Sequence, residues 1–349
     1  MRQSNRLKRL TQNILVYLAT DLNRRRTGIG IFLILLIGIF VWVRIESSHI
    51  GSNTREGEEL DDSYVSGTVF IDGEEYVPKK NIKSFLVIGV DKKGQFKDSG
   101  TFENDELCDF LALIVFDSDA KTYKVIHINR DTMTPVKKLG ERGETVSTRV
   151  MQIALAHTYG NGLEKSCDNT VDAVSNLLYG VNIDRYYAIT MSAVAGAADY
   201  VGGVPVTITE DMTAVNEKFT EGAEIVLKGD DALDYVRARG GVGDQTNLSR
   251  MDRQKRFVSS LMDVIEAEEL TDEYVAGLFK KIGNYSLTDI TANELPDLAE
   301  WLEEYSYGGI VSPEGEAVYD GSHICFYVED ETLKDLVTDY FYNKVEEKQ

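Results

Sequence analysis

Cysteine and histidine are scarce in this chain of 349 residues, which holds three cysteines and four histidines. Cys108, Cys167 and Cys325 are too few for a disulfide scaffold. One pair could form in an oxidising compartment and leave an odd thiol, but the sequence does not identify the pair. Their spacing matches no set of metal ligands, and the histidines are scattered. The sequence therefore supports neither a disulfide-stapled fold nor zinc chemistry.

Basic residues are also scarce outside the N-terminus. The chain has 37 Lys and Arg against 58 Asp and Glu, which gives a formal net charge of −21. Residues 1–44 hold eight of the basic residues and only one acid, Asp21, so the remainder is more acidic than the whole. A body that binds nucleic acid needs a basic face against the phosphates. The charge distribution argues against such a body and leaves room only for local basic clusters.

One stretch has no charge at all. Residues 27–43, with the sequence TGIGIFLILLIGIFVWV, lie between Arg26 and Arg44. As a helix they would reach about 25 Å, near the short end of what spans a bilayer. A buried core helix and a cleaved signal peptide are the alternatives, but the run has neither a polar stripe nor an obvious small-residue cleavage site. We therefore predict a basic cytoplasmic tail over 1–26, one transmembrane helix over 27–44 and an extracellular remainder.

Beyond this helix, the hydrophobic pattern predicts a sheet. Residues 45–80 are polar and indicate a spacer, with a small hairpin around Asp72-Gly73. Three apolar runs follow at 84–91, 109–117 and 124–128, each typical of a buried strand. No internal repeats or low-complexity tracts occur.

Helical patterns then alternate with short apolar strands, which favours a layered α/β fold with a covered sheet. One predicted helix covers 147–162, with Gly160 as its stop. A second covers 167–180, with Asp168 or Asn169 as its cap and Gly180 as its terminator.

Two acids stand at the ends of neighbouring apolar runs. Asp91 closes the first run and Asp109 opens the second, so antiparallel strands would bring both carboxylates to one edge of the sheet. Paired carboxylates, completed by phosphate oxygens and water, are the usual way of holding Mg²⁺. The alternative is that each acid only caps a turn.

Arginines stand where an anion site would need them. Arg130, followed by Asp131, ends the third run, and Arg237 and Arg239 end a later predicted helix. Arginine presents a rigid fork of donors that fits phosphate oxygens, so converging arginines make a pyrophosphate clamp. Solvated surface arginines, paired with local acids, are the alternative.

The order of the motifs is more specific than any one of them. The chain presents, in succession, FLVIGVD, CDFLALIVFD, INRDT, AHTYGNG, ADYVGGVPV, LKGDDALDYVRARG and SRMDRQKRF. Over about residues 81–260 this succession resembles the LytR-CpsA-Psr family of cell-envelope proteins. The resemblance implies a three-layer α/β/α fold whose central mixed sheet encloses an apolar tunnel for a polyprenyl chain. We assign 81–263 to this domain and 264–349 to a C-terminal α/β extension.

The resemblance also implies a function. Members of the family transfer glycopolymers from polyprenyl-pyrophosphate carriers onto peptidoglycan, with Mg²⁺ at the pyrophosphate. We therefore expect a membrane-anchored extracellular phosphotransferase of a Gram-positive bacterium, with Mg²⁺ as cofactor and with the lipid-linked glycan and peptidoglycan as partners. The alternatives are a non-catalytic polyprenyl-pyrophosphate-binding regulator or scaffold of envelope assembly, and a pyrophosphate hydrolase.

Residue by residue, the resemblance makes Asp91 and Asp109 the metal-site acids and candidate bases, with Arg130 as the third catalytic residue. Asp131 either orients Arg130 or a Mg²⁺-bound water, or caps a turn. The residues expected to bind the pyrophosphate are Arg149, Arg237, Arg239, Arg250 and Gln254.

The sequence departs from the family pattern at several positions. Leu107 and Cys108 stand where the family commonly has arginine and serine, and Asn129 replaces a proline before Arg130. Gln152 replaces a lysine, and Arg149, one helical turn earlier, would reach the same ligand. Asn247 replaces an acid. The charges lost at 107 and 247 favour the binding module among the alternatives.

Overall fold

The computed structural model describes residues 69–71, 74–239, 241–243, 247–267, 272–291, 294, 297, 298, 301 and 304–345. The predicted tail, transmembrane helix and most of the spacer lie outside these residues. Within them, no helix has the length and apolar character needed to cross a membrane.

The strands are β1 (Val69–Ile71), β2 (Glu74–Pro78), β3 (Ile82–Val90), β4 (Cys108–Asp117), β5 (Thr122–Ile128), β6 (Met133–Leu139), β7 (Thr145–Gln152), β8 (Arg185–Thr190), β9 (Val204–Thr207), β10 (Glu224–Leu227), β11 (Ser286–Thr288), β12 (Ser306–Val311), β13 (Gly315–Tyr319), β14 (Ile324–Val328) and β15 (Tyr342–Lys344). The helices are α1 (Glu164–Leu177), α2 (Met191–Tyr200), α3 (Gly229–Arg237), α4 (Asn247–Ala267), α5 (Asp272–Gly283) and α6 (Asp330–Phe341), and a single 3₁₀ turn covers Ile153–Ala156.

The chain divides into two compact units. Of the described residues, those within 46–91, 97–188 and 308–349 form the sheet unit, and those within 92–96 and 189–307 form the helical unit. Both units are therefore built from segments that are distant in the sequence. The domain limits expected at 81–263 and 264–349 stay predictions.

Within the sheet unit, the strands of the central sheet follow the order β8-β3-β4-β5-β12 and form the core. β3, β4 and β5 pair antiparallel, with Leu86 opposite Leu113 and Leu113 opposite Ile126. All three side chains are fully buried, as expected where a sheet is covered on both faces. The apolar runs are thus confirmed as strands and the α/β class with a central sheet is confirmed, while the three layers and the apolar tunnel stay predictions.

In the sheet unit, the first strands of the described chain pair with its last strand. β1 pairs antiparallel with β2, with Ile71 opposite Glu74, which confirms the hairpin predicted around Asp72-Gly73. β15 adds to the other side of β2, with Lys344 opposite Tyr76.

The helix predicted over 147–162 is wrong. Residues 145–152 form strand β7, which pairs antiparallel with β6, and only the 3₁₀ turn that follows is helical. Four of the eight residues of β7 are β-branched and favour a pleated strand over a helix. Pairing with β6 satisfies the backbone hydrogen-bonding groups of β7, so the segment forms a strand although its hydrophobic pattern also suits a helix.

Helix α1 begins at Glu164, so the cap predicted at Asp168 or Asn169 is also wrong. Asn169 lies inside the helix, where its buried Nδ2, with two hydrogens to donate, lies 2.9 Å from each of three carbonyl oxygens, those of Lys137, Ala156 and Tyr159. This side chain ties β6 and the 3₁₀ turn to α1. Gly180 ends the helical region at a φ of 83°, a conformation that costs glycine little, as predicted.

Candidate active site

Asp91 and Asp109 lie at the same end of the β3–β4 pair. The amide of Asp91 donates to the carbonyl of Leu107 at 2.8 Å, and Val90 stands opposite Cys108. Because Gly89 pairs with residue 110, Asp109 is an extra residue in β4, a β-bulge. A bulge bends its strand and redirects a side chain. The bulge carries no signal in the sequence, but the shared edge of the two acids was predicted.

Arg130, which follows β5, faces two carboxylates. Its Nη1 donates a hydrogen bond to Oδ1 of Asp109, and its Nε lies 3.4 Å from Oδ1 of Asp131. The side chains of Arg130, Asp109 and Asp131 are 12%, 7% and 1% exposed. One cation thus stands between two buried anions.

The Nε of Arg130 is buried and has no hydrogen-bond acceptor among the described residues, because its contact with Asp131 lacks hydrogen-bond geometry. A buried donor left in this state costs about 1–3 kcal/mol. A bound water, an ion or a ligand accounts for such a group. A phosphate oxygen would satisfy this donor with a charge-assisted hydrogen bond.

Asn129, and not Asp131, closes the turn that carries Arg130. The Asn129 side-chain oxygen accepts the amide of Asp131 at 3.0 Å, and its carbonyl accepts the amide of Thr132 at 3.0 Å. Asparagine thus performs the turn-forming role at the position where the family has proline. The carboxylate of Asp131 faces Arg130 and accepts a hydrogen bond from Gln152. The geometry favours the partner role of Asp131 over the cap.

Cys108 is fully buried beside this site, with its Sγ 3.4 Å from the carbonyl oxygen of Ala154. Burial raises the pKa of its thiol to about 12 even though the charge of Arg130 lowers it. A thiol with this pKa is not a nucleophile near neutral pH. Cys167 and Cys325 are also buried, and neither forms a disulfide.

Arg149 is exposed on β7. It lies three positions before Gln152, and on a strand this odd spacing directs the two side chains to opposite faces. The argument that Arg149 reaches the ligand of residue 152 from one helical turn away is therefore wrong, and its role in binding stays a prediction. Gln152 itself is engaged with Asp131.

The late arginine-rich motif lies in the helical unit. Arg237 is exposed at the end of α3, and Arg239 is half-buried just beyond it. Arg250 is buried on α4. Gln254, also buried, donates from Nε2 to the carbonyl of Val236 at 3.3 Å, while no donor in the described part of the chain reaches its Oε1. The roles of these residues stay predictions.

Arg253 of this motif has a structural role that the sequence did not assign to it. Its Nε donates to the carbonyl of Tyr235 at 3.2 Å, its Nη2 donates to the carbonyl of Ala238, and its Nη1 pairs with Glu210. These bonds fix the backbone on both sides of Arg237. The signal was available, because position 253 shares one helix face with the buried residues at 250, 254 and 257.

The carboxylates fit a Mg²⁺ site of a particular kind. Within the described ranges, no three His, Cys, Asp or Glu residues come together as a metal cage. Mg²⁺ is commonly held by one or two carboxylates and completed by substrate phosphates and water. Asp91 and Asp109 fit that donor set, since a carboxylate that accepts Arg130 retains lone pairs for a cation.

The chain matches the model of the LytR_cpsA_psr family over residues 41–335. Two relatives are named polyisoprenyl-teichoic acid–peptidoglycan teichoic acid transferase TagU. The one from Halalkalibacterium halodurans is 25% identical over 218 residues, which cover 58% of this chain and 64% of the relative. The one from Bacillus mycoides is 28% identical over 186 residues, 53% of each. An uncharacterized Staphylococcus aureus protein is 24% identical over 73% of this chain and 57% of its own length. The chain thus spans 53–64% of the length of these curated relatives.

Solved structures give the same fold. TagV of B. subtilis superposes with a TM-score of 0.55 at 22% identity, over 75% of this chain and 98% of that one. A structure titled "TagT bound to LI-WTA" has a TM-score of 0.53 at 17% identity, over 82% of this chain and 93% of that one. With the ordered motifs, the shared fold and a family match over most of its length, this chain belongs to the LytR-CpsA-Psr family.

Proposed function

We propose that this protein is a membrane-anchored extracellular phosphotransferase that moves a glycopolymer from a polyprenyl-pyrophosphate carrier onto peptidoglycan. The names of the two TagU relatives support the reaction class. The observation that carries the proposal is the largely buried guanidinium of Arg130, held between two carboxylates with an Nε that no described acceptor satisfies. A phosphoryl oxygen is a charged acceptor of the kind that arginine binds.

The reaction forms one phosphorus–oxygen bond and breaks another. A sugar hydroxyl of peptidoglycan attacks the glycan-proximal phosphorus, and the bond from that phosphorus to the bridging oxygen breaks. Polyprenyl phosphate leaves with the bonding electron pair. Arg130 stabilises the charge that builds on the phosphoryl oxygens, and in such reactions positioning and electrostatics supply most of the rate enhancement.

The hydroxyl proton passes to a carboxylate, for which Asp91 and Asp109 are the candidates. Mg²⁺ held by Asp91 and Asp109 would supply positive charge against the phosphoryl oxygens. The residues proposed to add further contacts to the pyrophosphate are Arg149, Arg237, Arg239, Arg250 and Gln254.

The proposed location follows the charge pattern at the N-terminus. A basic tail over 1–26 and an anchor over 27–44 would leave the catalytic residues outside the cell membrane, where the lipid carrier and the peptidoglycan acceptor meet. The non-catalytic binding module is favoured only by the charges lost at Leu107 and Asn247.

The test is a reconstituted reaction with the full-length chain in detergent, a synthetic polyprenyl-pyrophosphate-linked glycan and Mg²⁺. We expect release of polyprenyl phosphate only when peptidoglycan oligomers are present, together with a glycan–peptidoglycan phosphodiester. Release without acceptor would identify a hydrolase, and tight binding without any release would identify a binding module. Either result would overturn the transferase assignment.

A further inference from the structure

The carboxylate of Asp131 is held by a residue from another strand. Nε2 of Gln152, the last residue of β7, donates to Oδ1 of Asp131 at 3.1 Å and to the carbonyl oxygen of Ile324 at 2.7 Å. The amide nitrogen of glutamine carries two hydrogens, so one can serve each acceptor. A single carboxamide thus connects the partner of Arg130 with strand β14 near the C-terminus.

Strand β14 also holds the backbone of Asp131. The amide of Phe326 donates to the carbonyl of Asp131 at 2.9 Å, and Thr132 forms a parallel bridge with Phe326. The backbone of Asp131 is therefore fixed by β14, and its side chain is fixed by Gln152. All of these contacts lie within the sheet unit.

The chemistry of the carboxamide suits this position. Asp131 is almost completely buried, and its Oδ1 both faces the Nε of Arg130 and accepts from Gln152. A neutral donor fixes the direction of the carboxylate without competing with Arg130 for ion pairing. If this donor were removed, the carboxylate could rotate, and Arg130 would lose one of the two anions that define its direction.

We propose that Gln152 is a positioning residue for Arg130, and that strand β14 is part of the same device. The inference rests on the proposed function, since Gln152 affects the reaction through Arg130 and not by touching substrate. It also gives the segment from 308 onward a role in the reaction. That segment supplies Ile324 and Phe326, whose backbone groups complete the support of Asp131.

The test uses the full-length chain with Gln152→Met, which keeps length but removes the donors, and Gln152→Glu, which keeps shape but removes the donors and adds charge. Thr148→Met and Thr148→Glu are the matched controls, because Thr148 is exposed on the same strand and on the same face. We expect both Gln152 variants to lower kcat by about 10–100-fold with little change in KM, as small misplacements of a reacting group do. The melting temperature should stay close to that of the controls.

A second readout needs no activity. The Nε–H signal of Arg130 in ¹⁵N-arginine spectra, assigned by its loss in Arg130→Lys, should exchange with solvent faster in Gln152→Met than in Thr148→Met. This readout decides the positioning role even if the wild-type chain transfers no glycan and the proposed function fails. Unchanged exchange would overturn the inference. Retention of full activity by Gln152→Glu would also overturn it, because packing alone would then explain the residue.

Discussion

Two arginines with little exposure to solvent, one in each unit, are used in opposite ways. Arg253 in the helical unit is 1% exposed and gives its donors to the carbonyls of Tyr235 and Ala238 and to Glu210. Arg130 in the sheet unit is 12% exposed, faces two carboxylates and keeps an Nε that no described acceptor satisfies. An arginine whose three nitrogens all bond to the protein stabilises the fold. An arginine that keeps a donor beside charged partners is available to a ligand.

Replacing each arginine by lysine should distinguish binding of a ligand from stabilisation of the fold. The largest effect is expected for Arg130→Lys, on transfer activity. Lysine keeps the charge between the carboxylates but loses the planar fork. We expect glycopolymer transfer to fall by about 10²–10³-fold, the typical cost of losing one donor to a developing anion. Unfolding by urea should stay near wild type. Arg142→Lys, at an exposed position of the same unit, is the control. Full transfer by Arg130→Lys would contradict the assignment of Arg130 to the ligand.

The reverse result is expected for Arg253→Lys. Lysine cannot reach Tyr235, Ala238 and Glu210 together, so buried carbonyls lose their donors. We expect the free energy of unfolding to fall by about 3 kcal/mol, the order of one or two unsatisfied buried groups. Urea unfolding of Arg253→Lys against Arg256→Lys, an exposed position on the same helix, measures this difference.

Glu210→Gln sharpens the assignment of Arg253 to the fold. It keeps an acceptor for Arg253 and removes the charge, so its effect should be smaller, about 1 kcal/mol. If Arg253→Lys unfolds like wild type but loses transfer, Arg253 belongs with the ligand-binding arginines and the contrast with Arg130 fails.

The parts of this molecule that the sequence predicts well are those with an unambiguous periodicity. The apolar runs that became β3, β4 and β5 are too short and continuous for surface helices, and burial on both faces follows. The prediction of a helix over 147–162 was wrong because the hydrophobic pattern suits a helix and a strand equally, and pairing with β6 favours the strand. Strands β12 and β13 carry no pattern that identifies them.

The residues of the candidate site could be predicted from the sequence, but the contacts that hold them in place could not. Asp91, Asp109 and Arg130 stand at strand ends, and strand ends meet at an edge of the sheet. The bulge at Asp109 is a shift in register, which no local composition specifies. The link from Gln152 to Ile324 joins residues 172 positions apart, and it depends on the tertiary fold.

Cys108 gives the smallest effect and tests the surroundings of Arg130 directly. The nearby guanidinium lowers the pKa of the thiol, but burial raises it more, to about 12, so the thiolate is scarce at pH 8. We expect iodoacetamide to leave Cys108 unmodified in the folded protein and to alkylate all three cysteines in urea, as mass spectrometry of peptides would show. Faster alkylation of Cys108 in Arg130→Ala than in wild type would mean that the arginine shields this edge of the sheet. Alkylation of wild-type Cys108 at the rate of a free thiol would instead show that the edge opens to solvent, and the distinction between a buried Arg130 and a surface arginine would no longer hold.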